Sequence, residues 1–151
     1  MSGIKLPKDW SSKLMLAENI NTPKDVLEFL AKDEDYYVRS AVAENPNAPL
    51  DVIKELSEDN DYEIRAGVAR NPKTPKKILE KLSEDDWWVR ANVAKNPNAS
   101  QKILAKLSKD PYWKVRVEVA RNPSISQKII KKLKEDEDYY VRHEVERHHK
   151  S

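Results

Sequence analysis

Three histidines, His143, His148 and His149, crowd the end of the sequence and are its only imidazoles. With Glu144 and Glu146 close by they have the ligand types of a metal site. They lack the i, i+4 spacing that stacks two imidazoles on one helical face, so no metal site is expected. Nucleophilic chemistry is missing too. No cysteine is present, which excludes a thiolate nucleophile, a disulfide or a cysteine-ligated iron–sulfur cluster held by this chain. Two glycines, Gly3 and Gly67, are too few for a phosphate-cradling loop, and neither G-x-S-x-G nor H-E-x-x-H occurs. No catalytic residue, cofactor or metal ligand is assigned, and the chain is not expected to be an enzyme.

The chemistry on offer is that of binding. Tyr37, Trp88 and Tyr140, with the cations Arg70, Lys95, Lys114, Arg121 and Arg147, combine large rigid contact area with charge-assisted hydrogen bonding. They are the candidate surface for a protein or peptide partner. A second set is the lysine series Lys102, Lys106, Lys109, Lys128, Lys131 and Lys132. Such a surface could neutralise a phosphate backbone by counterion release, so nucleic acid is the alternative partner. Charge distribution agrees: residues 1–98 hold 15 basic and 18 acidic side chains, whereas 99–151 hold 13 and 8. Against it, four acidic residues, Glu135 to Asp138, follow the lysines at once, and lysine is the ordinary choice for an exposed helix.

What must position these side chains is a repeat. An arginine after an aliphatic residue recurs at Arg39, Arg65, Arg90, Arg116 and Arg142, with spacings of 26, 25, 26 and 26. An asparagine keeps phase at Asn19, Asn45, Asn71, Asn96 and Asn122, and an aspartate at Asp33, Asp59, Asp85, Asp110 and Asp136. The single one-residue deletion falls in SEDDWWVR, where a loop absorbs it. Each repeat divides into two short helices. The first follows a cap and proline, as at Thr22-Pro23 and Thr74-Pro75, and carries Val26, Leu27 and Leu30 or their equivalents on one face. The second starts at an aspartate cap, Asp35, Asp61, Asp86 or Asp138, and ends at Asn-Pro, because the residue before proline is pushed out of the helical region.

The expected fold class is therefore all-α: a helical repeat solenoid, an alpha-alpha superhelix of two short helices per 25–26-residue repeat. A single solenoid domain spans 1–151, with a half-repeat cap at 1–19, repeats at 20–45, 46–71, 72–96, 97–122 and 123–148, and a tail at 149–151. The 38% hydrophobic and 36% charged composition suits such a thin structure. No apolar run suggests membrane insertion and no secretory h-region is visible, so a cytoplasmic location is expected.

The repeat also sorts the candidates. The recurrent arginine and aspartate should stabilise stacking, and the asparagine should build a turn by accepting from an amide two residues on. The aromatic three before the arginine, Tyr36, Tyr62, Trp87, Trp113 and Tyr139, reads as core. Two before it stand Tyr37, Glu63, Trp88, Lys114 and Tyr140, and four later Ala41, Gly67, Asn92, Glu118 and Glu144. The small and polar types of that second row suggest a face outside the core. Three further on come Glu44, Arg70, Lys95, Arg121 and Arg147, which completes the aromatic and basic stripe. A third reading is a consensus-like or designed array without a natural partner, against which the irregular cap and the unequal repeat surfaces argue.

The stretches AENPNAPLDVIKELSEDNDYEIRAGVA and ARNPKTPKKILEKLSEDDWWVRANVA resemble the leucine-rich repeat variant family, related in architecture to HEAT-like repeats. The resemblance spans roughly residues 5 to 149. It implies a right-handed helical repeat solenoid of alternating helices, one of them short or of 3₁₀ type, used as an interaction scaffold. Some relatives carry a cysteine-ligated iron–sulfur segment, which this cysteine-free chain does not match.

Overall fold

The computed structural model describes residues 3 and 5–150; the expected cap and tail also include residues 1, 2, 4 and 151, which lie outside the described residues. It is all-α, a helical repeat solenoid with eleven helices and no strand among the described residues. Seven-residue helices, α2 (Lys24–Leu30), α4 (Leu50–Leu56), α6 (Lys76–Leu82), α8 (Gln101–Leu107) and α10 (Gln127–Leu133), alternate with longer ones of nine or ten. The longer helices are α1 (Trp10–Glu18), α3 (Tyr36–Glu44), α5 (Tyr62–Arg70), α7 (Trp87–Lys95), α9 (Trp113–Arg121) and α11 (Tyr139–His148). The chain forms two compact units, Met1–Thr74 and Pro75–Ser151. In the first, α3 packs between α1 and α5; in the second, α9 packs between α7 and α11. The short helices line the other side of each row, α2 and α4 on α3, α8 and α10 on α9.

Local sequence explains each helix. Aspartates cap the long ones: the carboxylates of Asp35, Asp61, Asp86 and Asp138 accept from the amides of Tyr37, Glu63, Trp88 and Tyr140 at 2.8 to 3.1 Å. At α9 a tyrosine, Tyr112, stands at the cap without a side-chain bond. The short helices start at Pro23, Pro49 and Pro75, or at Ser100 and Ser126, whose hydroxyls accept from Ile103 and Ile129. Thr22 and Thr74 do not cap, contrary to the sequence expectation. Both are buried, and their hydroxyls donate backward to the carbonyls of Leu16 and Val68 at 2.6 Å. Proline sits at the cap itself, where its carbonyl accepts the first helical bond, from Leu27 at 3.1 Å in α2. The short helix is α in its body. Its ends tighten through i→i−3 bonds, Val26 to Pro23 at the start of α2 and Lys32 to Phe29 and Asp33 to Leu30 at its end, so 3₁₀-type bonding is confined to the terminal turns.

Neither helix type buries enough apolar surface alone, and the core is what stacking encloses. Leu27, Leu30, Val38, Val42, Ile53, Leu56 and Ile64 fill the first unit; Leu79, Val89, Val93, Leu104, Val115, Leu133 and Val145 belong to the second. Val26 and Ile78, expected on the apolar face, are half-buried.

Two polar ladders run along each unit. The asparagine carboxamide accepts from the amide two residues on, as at Asn45 and Asn71 (2.8 and 2.9 Å). Its Nδ2 donates to backbone one repeat earlier: Asn45 to Ala17 at 2.7 Å, Asn71 to Ala43 at 2.8 Å and Asn122 to Ala94 at 2.7 Å. The end rung is His149, whose Nε2 lies 2.8 Å from the Ala120 carbonyl. A carbonyl only accepts, so this nitrogen carries the proton. The second ladder pairs Arg39 with Asp59, Arg90 with Asp110 and Arg116 with Asp136, each arginine also donating through Nη1 to a carbonyl of its own repeat. Lys13 takes the arginine's place against Asp33 at 2.7 Å. In the shortened repeat the Asp86 amide donates to its immediate neighbour Asp85, at 2.7 Å, where other repeats span two residues. The deletion thus shortens an aspartate turn and spares the helix cap.

Candidate functional site

The structure corrects two expectations about side-chain rows. The aromatics three before the arginine are not core: Tyr36, Tyr62 and Tyr139 are 37%, 48% and 63% exposed, and Trp87 and Trp113 are half-buried. Each is the first residue of its helix, and a first-turn side chain leans back over the preceding loop rather than into the stack. Conversely, the row of small and polar residues faces the neighbouring long helix. Gly67, Asn92 and Glu144 are buried, and a Cβ on Gly67 would lie 3.2 Å from that of Ala43. Close lateral packing of long helices selects small residues there. Asn92 in this row donates to the Trp88 carbonyl of its own helix at 2.8 Å.

These corrections leave an open groove of about 320 Å³ on the long helices of the second unit. Trp87 and Trp88 come from α7, Trp113 and Lys114 from α9, and Tyr140 from α11; Ala91 and Val117, both buried, form the floor. Trp113 stacks on Tyr140 with centroids 5.3 Å apart and planes 26° apart. Trp87 meets Trp88 and Tyr112 edge-on at 5.6 and 4.7 Å. The Lys114 ammonium lies 5.4 to 5.8 Å from the ring centres of Trp87, Tyr112 and Trp113, and Lys95 lies 5.7 Å from that of Trp88. Both are within cation–π range.

One end of the groove is an ion network. Arg121 donates to Glu118 at 2.9 Å and to Glu144 at 3.1 Å. The Arg121 guanidinium holds the Glu144 carboxyl below the usual glutamate range despite its burial, and burial tempers but does not cancel the rise that Glu144 and Glu118 impose on Arg121. Glu144 Oε2 is closed to solvent and lies 3.1 Å from His148 Nε2 without hydrogen-bond geometry.

Of the sequence-derived interaction residues, Trp88, Lys114, Arg121 and Tyr140 come together here, with Lys95 at the edge. Arg147 is exposed on α11. In the first unit Tyr37, 56% exposed, lies against Tyr36 with the rings tilted by 39°, and Arg70 is held by Glu44 at 2.6 Å. Sequence reasoning missed Trp87, Trp113, Glu118 and Glu144 as groove residues. The available signal was the change, in the last two repeats alone, from a small or neutral residue to glutamate in the stacking row. Among the lysines, Lys102 pairs with Glu80 at 2.7 Å and Lys106 contacts Glu84. Lys109, Lys128, Lys131 and Lys132 are exposed, and local desolvation followed by the like charges of Lys109 and Lys128 holds Lys132 below its ordinary value. Among the described residues no cluster of three or more histidine or acidic side chains is arranged to hold a metal, and no helix is long and apolar enough to cross a membrane.

No family model matches the sequence, and no curated protein does. Among solved structures the chain is similar to one described as a leucine-rich repeat variant with a novel repetitive protein structural motif, at 25% identity and a TM-score of 0.51. The likeness covers 92% of this chain and 66% of that one. The matched architecture and the asparagine and arginine ladders found in both units make the chain a helical repeat protein similar in fold to that leucine-rich repeat variant.

Proposed function

We propose that this protein is a non-enzymatic scaffold that holds a segment of another protein in the aromatic groove of α7, α9 and α11. The observation that carries this reading is the open cluster of Trp88, Trp113 and Tyr140 over a buried apolar floor, flanked by Lys114 and Arg121. A concave apolar site with a few placed polar groups is what a ligand pocket needs, and Trp, Tyr and Arg dominate interface hot spots. The repeat stack keeps all of these side chains on short, packed helices, so little ordering is required on binding. Nucleic-acid binding by the lysine series is disfavoured by the engagement of Lys102 and Lys106 with Glu80 and Glu84.

The test is a peptide array probed with the full chain, followed by calorimetry of the peptides retained. Tyr140→Ala and Trp88→Ala should each weaken those peptides roughly tenfold or more, with thermal unfolding shifted little for the exposed Tyr140. Peptides that bind equally well to both variants would refute the groove as the site. Salt-sensitive binding of labelled nucleic acid that survives both variants but fails in a Lys128→Glu, Lys132→Glu double variant would put the lysine face in its place.

A further inference from the structure

The groove's charges are sorted by depth. Its carboxylates lie at the bottom: Glu144 is 7% exposed, Glu118 is half-buried, and both are bonded to Arg121. Its ammonium groups lie at the mouth. Lys114 is exposed, rests over three ring faces and has no carboxylate partner among the described residues. Lys95 is held only loosely, 3.9 Å from Glu118, and hangs over Trp88. An approaching chain therefore meets cations and aromatic faces before it meets any anion.

Resting on the peptide-groove reading, we propose that the groove selects acidic segments: an apolar or aromatic side chain enters between Trp88, Trp113 and Tyr140, and a neighbouring carboxylate pairs with Lys114. Lys114 is then the specificity residue. Its stem is already laid across the rings, so pairing orders little that is not ordered beforehand. A basic segment would face Lys114 and Lys95 and find both glutamates already paired with Arg121, which makes the selection one of repulsion as well as attraction. A phosphate backbone also carries negative charge, but it would bring a continuous run of it over Glu118 and Glu144, and the stacked Trp113–Tyr140 pair leaves less ring face for bases.

The probes are three acetylated, amidated dodecapeptides: one of glutamate, leucine and tyrosine, one with lysine for each glutamate, and one with serine for each leucine and tyrosine. Each is titrated into the full chain by calorimetry at about 50 and 200 mM salt, beside a labelled single-stranded oligonucleotide. The acidic apolar peptide should bind, its affinity falling with salt, and the lysine and serine peptides should bind at least tenfold more weakly. Lys114→Met, which keeps the apolar stem, should cost the acidic peptide about fivefold, and Lys114→Glu about tenfold while improving the lysine peptide. Tyr140→Ala should weaken whichever peptides bind. Equal binding of acidic and lysine peptides, both weakened by Tyr140→Ala, would overturn the charge selection and leave the peptide groove standing. An unchanged preference in Lys114→Glu would overturn the role of Lys114. Binding of the oligonucleotide in place of the peptides, or of none of the probes, would overturn both readings.

Discussion

Replacing Arg116 by methionine tests the arginine ladder where it is most buried. The Arg116 side chain is 8% exposed and that of its partner Asp136 9%. Nε and Nη2 form a two-point bridge to the two Asp136 oxygens at 2.8 and 2.9 Å, and Nη1 donates to the Asp110 carbonyl at 2.8 Å. Methionine fills much of the volume but supplies no donor, so Asp136 is left as a buried anion with one remaining bond, from the Asp138 amide at 2.9 Å. Removing one partner of a buried pair typically costs about 3 to 5 kcal/mol. Because this carboxylate keeps an amide donor, the expected loss is near the lower end, about 3 kcal/mol, which for a chain of this size lowers the thermal midpoint by roughly 6 to 12 °C. Arg39→Met is the internal control. There the side chains of Arg39 and Asp59 are 20% and 13% exposed and one arginine nitrogen bonds the carboxylate, so about 1 kcal/mol is expected. Combining Arg116→Met with Asp136→Leu removes the stranded charge and should recover most of the loss. Denaturant and thermal unfolding of the three variants beside the parent chain read this directly. A loss below about 1 kcal/mol for Arg116→Met, or no recovery in the double variant, would refute the reasoning.

Three further outcomes follow from the same geometry. Asn122→Ala removes a buried donor to the Ala94 carbonyl and the acceptor for the Ser124 amide, and should cost about 2 kcal/mol by denaturant unfolding; Asn19→Ala, at an exposed side chain that accepts from the Asn21 amide, should cost under about 0.5 kcal/mol. At Gly67, alanine gains helix propensity against a 3.2 Å contact with Ala43 and should change stability by less than about 1 kcal/mol, whereas leucine, forced past Ala43 and Glu44, should cost about 2 kcal/mol. Arg121 lowers Glu144, and at Asp33 burial raises the carboxyl but the Lys13 bond, the Asp35 amide and the charges of Lys13 and Arg39 together outweigh it, so both bind protons more weakly folded than unfolded. Their contribution is complete above the ordinary carboxylate range and is lost as pH falls through the depressed values, so the thermal midpoint should drop on going from about pH 5 to pH 3, and less steeply in Glu144→Gln.

The repeat, both helices and the aspartate caps of the long one were legible because the residues that make them act locally: Asp35 bonds the amide of Tyr37, and Asn45 that of Asn47, within a single turn. The long-range half of each ladder was legible only as a recurrence. That Asn45 reaches the Ala17 carbonyl depends on the distance between stacked repeats, which spacing along the chain does not encode. The same limit hid His149, which stands where the asparagine pattern stops yet completes the ladder on Ala120. The groove was half legible. Trp88, Lys114, Arg121 and Tyr140 were picked out by their variation in type, while Trp113 and Trp87 read as core because a ring in every repeat resembles packing. Periodicity assigns a face, but it does not distinguish a face against solvent from one against a neighbouring helix when that contact is made of Gly67, Asn92 and Glu144.

The central claim, that the second unit's aromatic groove receives an acidic segment, is tested most directly by following the tryptophan indole N–H resonances of the full chain during titration with the glutamate, leucine and tyrosine dodecapeptide. The indole signals of Trp87, Trp88 and Trp113 should shift together and saturate, while that of Trp10, in α1 and 57% exposed, stays in place. Movement of Trp10 alone, or saturable binding that leaves all three groove indoles unmoved, would contradict it.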